Sequence, residues 1–147
     1  MTHDPIAFEL FNEIGIIDQL ARSMFAKALP SGMTIAQFTV LNHFVRLQFD
    51  ERSPAALANA FQITRATMTS TLGRLERAGL ITIRSDPADG RAKRVSLTEA
   101  GRAMREACLK SIMPLVPNVE TAVPVSDMTA ILPLLKKMRI ALDALRN

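Results

Sequence analysis

One stretch, residues 64 to 78, combines hydroxyl and basic side chains with a single acid, Glu76. On an exposed helix, arginine can donate two hydrogen bonds to guanine O6 and N7. Serine and threonine can contact thymine methyl groups, base edges and phosphates, in a major groove about 12 Å wide. A surface helix without such a ligand would normally carry more Glu and Lys pairs, so the pattern favours a DNA-reading helix over an ordinary solvated face. The candidate contacts are Thr64, Arg65, Thr67, Thr69, Ser70 and Arg74.

Two short helices and a tight turn must position this face. Ser53 followed by Pro54 is a strong helix start, and Thr64 is the next N-cap. Gly79 suits the left-handed position after a helix. A short helix, a turn and a second helix predict a helix-turn-helix, with Ser53 as a candidate contact to the DNA backbone. The predicted inward-facing side chains are Leu57, Ala58, Phe61, Met68, Leu72 and Leu75.

A two-stranded ribbon is predicted after the helix-turn-helix. Apolar and polar residues alternate over 81–84 and 94–97, and Asp89-Gly90 is a hairpin turn signal between them. Asp86 and Asp89 are expected to hold the turn and to orient Arg91 by a charge-assisted hydrogen bond. An arginine held this way can enter a narrow minor groove, where the potential is most negative. The candidate DNA contacts on this wing are Arg84, Arg91 and Lys93.

The positive charge of the chain is concentrated on this module. Residues 52–105 hold ten basic and four acidic residues, a net charge of +6, and the remainder holds eight basic and ten acidic residues, a net charge of −2. The whole chain therefore carries +4. A basic region of this kind is typical of a protein that binds a polyanion, although a solvated basic face would look the same from charge alone.

The flanking segments are predicted to be helical. Apolar residues recur at steps of three or four over 6–28, and Thr34 with Gln37 forms a capping box that opens a second helix through about Phe49. Further helices are predicted over 98–123 and 126–146. The resulting fold class is mainly α with a small β-hairpin wing.

Two isolated side chains could carry chemistry of their own. His43, in the second helix, is expected at the surface or at the boundary of the core, and a sensing role is the minority alternative. Cys108 falls at the apolar spacing of its helix and is expected to be a small core residue rather than a redox sensor.

Prolines mark the C-terminal third of the chain. Pro114, Pro117 and Pro124 interrupt the apolar pattern, and Pro133 falls within the last predicted helix, where it would remove a backbone hydrogen bond. That helix is too apolar to stand alone. Pairing with residues 6–28 of both chains in a homodimer would bury its surface, and an intrachain helical bundle is the alternative.

The chain resembles the MarR family of bacterial transcriptional regulators. The resemblance rests on Ile63-Thr64, on 75–81 (LERAGLI), on the wing pattern from Asp86 to Arg91, and on 95–101 (VSLTEAG). It implies a homodimer on an inverted-repeat operator, commonly released by a small aromatic or phenolic molecule. It also implies DNA contacts from Arg91 on the wing and from a recognition-helix set, Arg65, Thr67, Thr69, Ser70 and Arg74.

Other classes of function find little support. One cysteine allows no intramolecular disulfide, and two histidines with one cysteine give no zinc-ligand spacing. We expect no cofactor, no metal and no enzymatic activity, since the sequence offers no nucleophile–base pair and no phosphate-binding glycine loop. Without a signal peptide or a membrane span, a cytoplasmic protein is expected. The open alternative is a winged-helix module that binds protein instead of DNA.

The expected organisation is one domain over 1–147. Residues 34–101 would form the DNA-binding lobe, and 5–30 and 102–147 the dimerisation helices.

Overall fold

The structure, a computed structural model, describes residues 4–146. The chain divides into two units, the first ending at Ser111 and the second beginning at Ile112. The helices and strands follow the predicted order. They are α1 (Ile6–Ala28), α2 (Ile35–Leu47), α3 (Pro54–Phe61), α4 (Arg65–Arg77), β1 (Ile81–Ser85), β2 (Lys93–Leu97), α5 (Glu99–Ile112), a 3₁₀ turn (Met113–Leu115), α6 (Val116–Ala122) and α7 (Val125–Ala144).

The predicted helix starts are confirmed as hydrogen-bonded caps. The Thr34 hydroxyl accepts from the Gln37 amide at 3.2 Å, and the Gln37 side chain accepts from the Thr34 amide at 2.8 Å. The Ser53 hydroxyl accepts from the amide of Ala56 at 3.1 Å. Helix α2 ends two residues earlier than predicted, because Gln48 adopts the left-handed conformation with φ of 56° and closes the helix.

The helix-turn-helix prediction is also confirmed. Gln62 is left-handed, and the Ile63 amide donates to the Ala58 carbonyl at 3.1 Å, so the chain reverses within three residues between α3 and α4. The two helices pack against each other through side chains at a helical spacing. The buried residues of α3 and α4 are Leu57, Ala58, Met68, Leu72 and Leu75.

The wing is an antiparallel hairpin with a short third edge. β1 pairs with β2 in the register Ile81↔Leu97 to Ser85↔Lys93. Val95, which is fully buried, also exchanges backbone hydrogen bonds with Arg52 at 2.8 and 3.0 Å, so the segment before α3 forms a bridge on the other side of β2. The sequence pattern did not predict this bridge.

A network around Thr98 ties α5 to the end of α4. The Thr98 hydroxyl donates to the Gly79 carbonyl at 2.7 Å and accepts from the Gly101 amide at 3.0 Å, which confirms Thr98 as the cap of α5. The Thr98 amide donates to the Leu80 carbonyl at 3.1 Å. Gly101 is buried against the Leu80 backbone, and a β-carbon at this position would clash with the Leu80 carbonyl.

We expect Gly101→Ala to destabilise the protein by about 1–3 kcal/mol, because the new methyl group meets backbone that can move only by breaking the Thr98 contacts. Thermal unfolding should show a midpoint lowered by roughly 2–4 °C per kcal/mol in a chain of this size. Gly15→Ala in α1 is the matched control, since a β-carbon there meets nothing within 4 Å. Equal losses in both variants would contradict the proposed clash.

The expected position of His43 is wrong: its ring is buried, with 6% exposure. It lies 4.9 Å from the Phe61 ring and 5.7 Å from the Phe49 ring, between centroids. Within residues 4–146 no hydrogen-bond partner reaches Nε2. Burial lowers the pKa of His43, and the nearby charges of Arg52 and Arg46 lower it further. Aromatic neighbours from α3 and from the end of α2 cover this histidine, which the α2 pattern alone could not reveal.

The lowered pKa of His43 makes stability depend on pH. The unfolded chain takes up the proton first, near pH 6.5, so the stability contributed by neutral His43 is complete above that pH and falls as the pH decreases below it. Between about pH 7.5 and 5.5 the thermal midpoint of the wild type should therefore fall. His43→Leu should lose less stability over this interval, while His3→Gln, the other histidine, should behave as wild type. Identical pH profiles for wild type and His43→Leu would rule the effect out.

Cys108 is fully buried in α5, as predicted for a core residue. Burial raises the pKa of its thiol, so the reactive thiolate is disfavoured.

In the second unit, three of the four prolines lie where helices begin. Pro114 and Pro117 occupy the first turns of the 3₁₀ turn and of α6, and Pro124 immediately precedes α7. A proline costs no intrahelical hydrogen bond at such positions. The predicted helix over 98–123 is consequently divided into α5, the 3₁₀ turn and α6. Pro133 alone lies inside a helix, as expected.

Candidate nucleic-acid interface

The side of α4 opposite its buried stripe is exposed. Thr67, Ser70 and Arg74 are spaced by three and four residues and lie on one side of the helix, while Arg65 and Thr69 lie together nearer the core. All five side chains are exposed. The sequence pattern therefore predicted an accessible hydroxyl and arginine surface, and the structure provides one.

Arg77 belongs to the same outward side, although it was not among the predicted residues. Its Nη1 lies 3.5 Å from the point that a β-carbon on Gly73 would occupy. The lack of a side chain at Gly73 lets the Arg77 guanidinium lie against the helix. Its spacing of three residues from Arg74 and seven from Ser70 was the signal that could have identified Arg77.

Thr64 and Thr67 form a linked pair at the start of α4. The Thr64 hydroxyl accepts from the Thr67 amide at 3.1 Å and donates to the Thr67 hydroxyl at 2.9 Å. A hydroxyl has one proton and two acceptor positions. Thr67 accepts from Thr64 here, so the proton of the Thr67 hydroxyl is left to donate outward. Thr64 acts first as the helix cap, as does Ser53 in α3.

The aspartates of the wing hold its turn, as predicted. Asp86 accepts from the Ala88 amide at 2.9 Å, and Asp89 accepts from the Arg91 amide at 3.0 Å. The pKa of Asp86 is lowered, first by the hydrogen bond from the Ala88 amide and also by Arg94. The Asp86 carboxylate thus remains ionised and rigidly placed.

The predicted hydrogen bond to the Arg91 guanidinium is wrong. The Asp89 carboxylate accepts from the backbone amide of Arg91 and not from its guanidinium. The Asp86 carboxylate pairs with Arg94, whose Nη2 lies 3.0 Å from Asp86 Oδ2. Arg94 lies near the loop end of β2, opposite Arg84, so its side chain reaches Asp86, which follows the end of β1. Arg91 is exposed at the tip and Lys93 is exposed at the start of β2.

The basic side chains differ in whether a carboxylate already neutralises them. Arg84 on β1 pairs with Glu51 at 2.9 Å. Among residues 4–146, no ion pair engages the other predicted basic contacts. These contacts are Arg65, Arg74, Arg91 and Lys93.

The part of the chain that the structure describes contains no group of three His, Cys, Asp or Glu residues arranged to hold a metal ion. None of the described helices has the length and apolar character required to cross a bilayer.

Helices α3 and α4 with the β1–β2 ribbon define a winged helix-turn-helix protein. A model of the MarR family matches residues 31–92, which include α2, α3, α4, β1 and the wing loop and end just before β2. A probable transcriptional regulator from Pseudomonas aeruginosa is 29% identical, with a TM-score of 0.68, over 92% of this chain and 97% of that chain. The match over 31–92 and the solved structures support a MarR-type winged-helix transcriptional regulator.

Two further solved structures extend the likeness. BpsR from Bordetella bronchiseptica, whose DNA binding is regulated by 6-hydroxynicotinic acid, is 26% identical with a TM-score of 0.73, over 89% of this chain and 98% of that chain. A cysteine-to-serine mutant of E. coli MarR in complex with operator DNA is 25% identical with a TM-score of 0.71, over 88% of this chain and 93% of that chain.

Proposed function

We propose that this regulator binds an inverted-repeat operator as a homodimer and represses transcription by occupying it. α4 enters the major groove, and the wing lies beside it, with Arg91 in the minor groove. In this proposal Arg65, Thr67, Thr69, Ser70 and Arg74 contact bases or nearby phosphates. Lys93, Arg84 and Ser53 contact the DNA backbone. Such a regulator acts in the cytoplasm.

The observation that carries the proposal is the charge state of the exposed surface. The arginines and lysine on α4 and at the wing tip have no carboxylate partner within residues 4–146. Lone guanidinium groups on an acid-poor helix are suited to replace the counterions that surround DNA phosphates. The relative solved with operator DNA supports the same use of the fold.

The proposed homodimer is supported by the exposed apolar surface of α1. Spacings of four, seven, three and four residues place its members on one side of the helix. They are Ile6, Leu10, Ile17, Leu20 and Met24, each more than 40% exposed. α7 separately exposes a large apolar surface, and no residue within Val125–Ala144 is buried. Apolar surfaces of this extent normally mark protein–protein interfaces.

A small aromatic or phenolic effector is part of the proposal. It is supported by the regulation of BpsR by 6-hydroxynicotinic acid. An effector of this kind would release the repressor from DNA. A thermal-shift screen of aromatic carboxylates, followed by operator-binding assays with each hit, would test for one.

Salt dependence of DNA affinity distinguishes this proposal from a protein-interaction module. Anisotropy titrations with a labelled duplex should show the logarithm of the association constant falling with the logarithm of salt concentration, by about 0.9 for each phosphate contacted. For six or more contacts, the affinity should fall roughly 1,000-fold or more between about 50 and 200 mM salt. A shallow dependence, or no binding at low salt, would favour the protein-interaction module.

A further inference from the structure

Two arginines lie side by side on the wing, and the repulsion between their positive charges must be offset by nearby carboxylates. Arg84 on β1 is directly opposite Arg94 on β2 in the strand register. Like charges at directly opposed positions destabilise a sheet. Each arginine has its own carboxylate: Arg84 pairs with Glu51 at 2.9 Å, and Arg94 pairs with Asp86 at 3.0 Å. All four side chains line an open depression of about 420 Å³.

The two ion pairs differ in how firmly they are held. The Asp86 side chain is 14% exposed and also accepts the Ala88 amide, so it is part of the turn. In the other pair Arg84 is 68% and Glu51 41% exposed. Solvent-exposed pairs are weak. A DNA phosphate can therefore replace Glu51 as the partner of Arg84 far more readily than it can replace Asp86.

Glu51 reaches Arg84 from outside the hairpin. Its neighbour Arg52 bridges Val95 on one side of β2, whereas Arg84 lies on β1 at the other side. The ion pair therefore spans β2. The two backbones are two strand spacings apart, about 9.6 Å, a distance that two long side chains can bridge together. The Arg84 charge is thus held over the wing by a residue 33 positions earlier in the sequence.

We propose that Glu51 sets the sequence-independent part of DNA affinity by competing with phosphate for Arg84. The inference rests on the proposed DNA-binding function and deepens it. In the free protein Glu51 positions and neutralises Arg84. When DNA binds, Arg84 exchanges the Glu51 carboxylate for a phosphate. The free energy lost with the broken ion pair is subtracted from the free energy gained from the phosphate contact. Glu51 is therefore a positioning residue that weakens binding to any DNA sequence.

Glu51→Gln tests the proposal, since it removes the charge and keeps the shape. We expect affinity for random duplex to rise on the order of 5-fold. The slope of the salt dependence should stay close to the wild-type value, because Arg84 contacts one phosphate in both proteins. The thermal midpoint should stay at the wild-type value. Glu106→Gln is the matched control, because it removes the same charge from an exposed glutamate that pairs with Arg105 on α5, and it should leave the affinity unchanged.

The Arg84→Ala protein distinguishes competition for Arg84 from direct repulsion between the Glu51 carboxylate and DNA. In Arg84→Ala protein, Glu51→Gln should no longer change affinity. Unchanged affinity for random duplex in Glu51→Gln alone would overturn the proposal. So would a gain that persists in the Arg84→Ala background, because Glu51 would then act by its own charge. Wild-type protein that binds no DNA would overturn the proposed function itself, a result distinct from wild-type binding with an unaffected Glu51→Gln variant.

Discussion

Arg91→Ala is expected to weaken operator binding on the order of 100-fold, which corresponds to about 1.4 kcal/mol from each protomer of a dimer. Arg91 is exposed at the wing tip, and its guanidinium has no ion-pair partner among the described residues. Little would be lost from the free protein when the side chain is removed. The thermal midpoint should therefore remain at the wild-type value while affinity, measured by fluorescence anisotropy, falls.

Lys110→Ala is the matched control for the loss of Arg91. It removes one positive charge from an exposed position on α5, away from the wing and α4. Its operator affinity should change by less than about twofold, since long-range effects are screened at physiological salt. Operator affinity in Arg91→Ala equal to that of the control would show that the wing arginine does not contact DNA.

Leu20→Glu is expected to dissociate the proposed dimer. Leu20 is 60% exposed in the single chain, so the substitution should leave the fold of each protomer intact. In a dimer built on this surface of α1, each protomer would bury an unpaired carboxylate, at a cost of roughly 3 kcal/mol or more. Light scattering coupled to size exclusion should show a monomer. Operator affinity should fall with it, because one half-site alone provides half of the contacts.

Gln19→Glu provides the control on the same helix. Gln19 is the immediate neighbour of Leu20, is exposed, and lies roughly 100° away from it around α1. The Gln19→Glu substitution adds the same negative charge and should leave the mass of the dimer and the operator affinity at wild-type values. A dimeric Leu20→Glu variant would place the dimer interface elsewhere than this surface of α1.

The parts of the fold that depend on local sequence signals were predictable. Thr34, Ser53 and Thr64 are N-caps because a side-chain oxygen within a few residues satisfies an amide of the first turn. The apolar stripe of α4 and the alternation in β1 and β2 follow from helix and strand periodicity. Each of these signals lies within about ten residues of the feature that it predicts.

What escaped prediction depends on residues distant in sequence. His43 is buried because Phe61 of α3 and Phe49 cover it, and the spacing within α2 does not show which neighbours arrive. The bridge between Arg52 and Val95 and the Glu51–Arg84 pair join segments more than thirty residues apart. The strand register settles which arginine meets Asp86.

In the candidate site, too, local features were predictable from the sequence and contacts between separate segments were not. The exposed side of α4 was predictable, because helical geometry separates it from the buried stripe whatever the rest of the chain does. Arg91 was identified from the turn signal, but its side-chain surroundings were not, since composition cannot show that Asp89 uses only the Arg91 amide.

Selection of duplexes from a random DNA pool by the purified full-length protein tests the central claim most directly. A homodimer that places two copies of α4 in successive major grooves should enrich an inverted repeat with half-site centres about 10 base pairs apart, or a multiple of that spacing. The Arg91→Ala protein should enrich the same repeat more weakly. Enrichment of no motif, or of a single unrepeated half-site, would contradict the account of a dimeric, sequence-specific regulator.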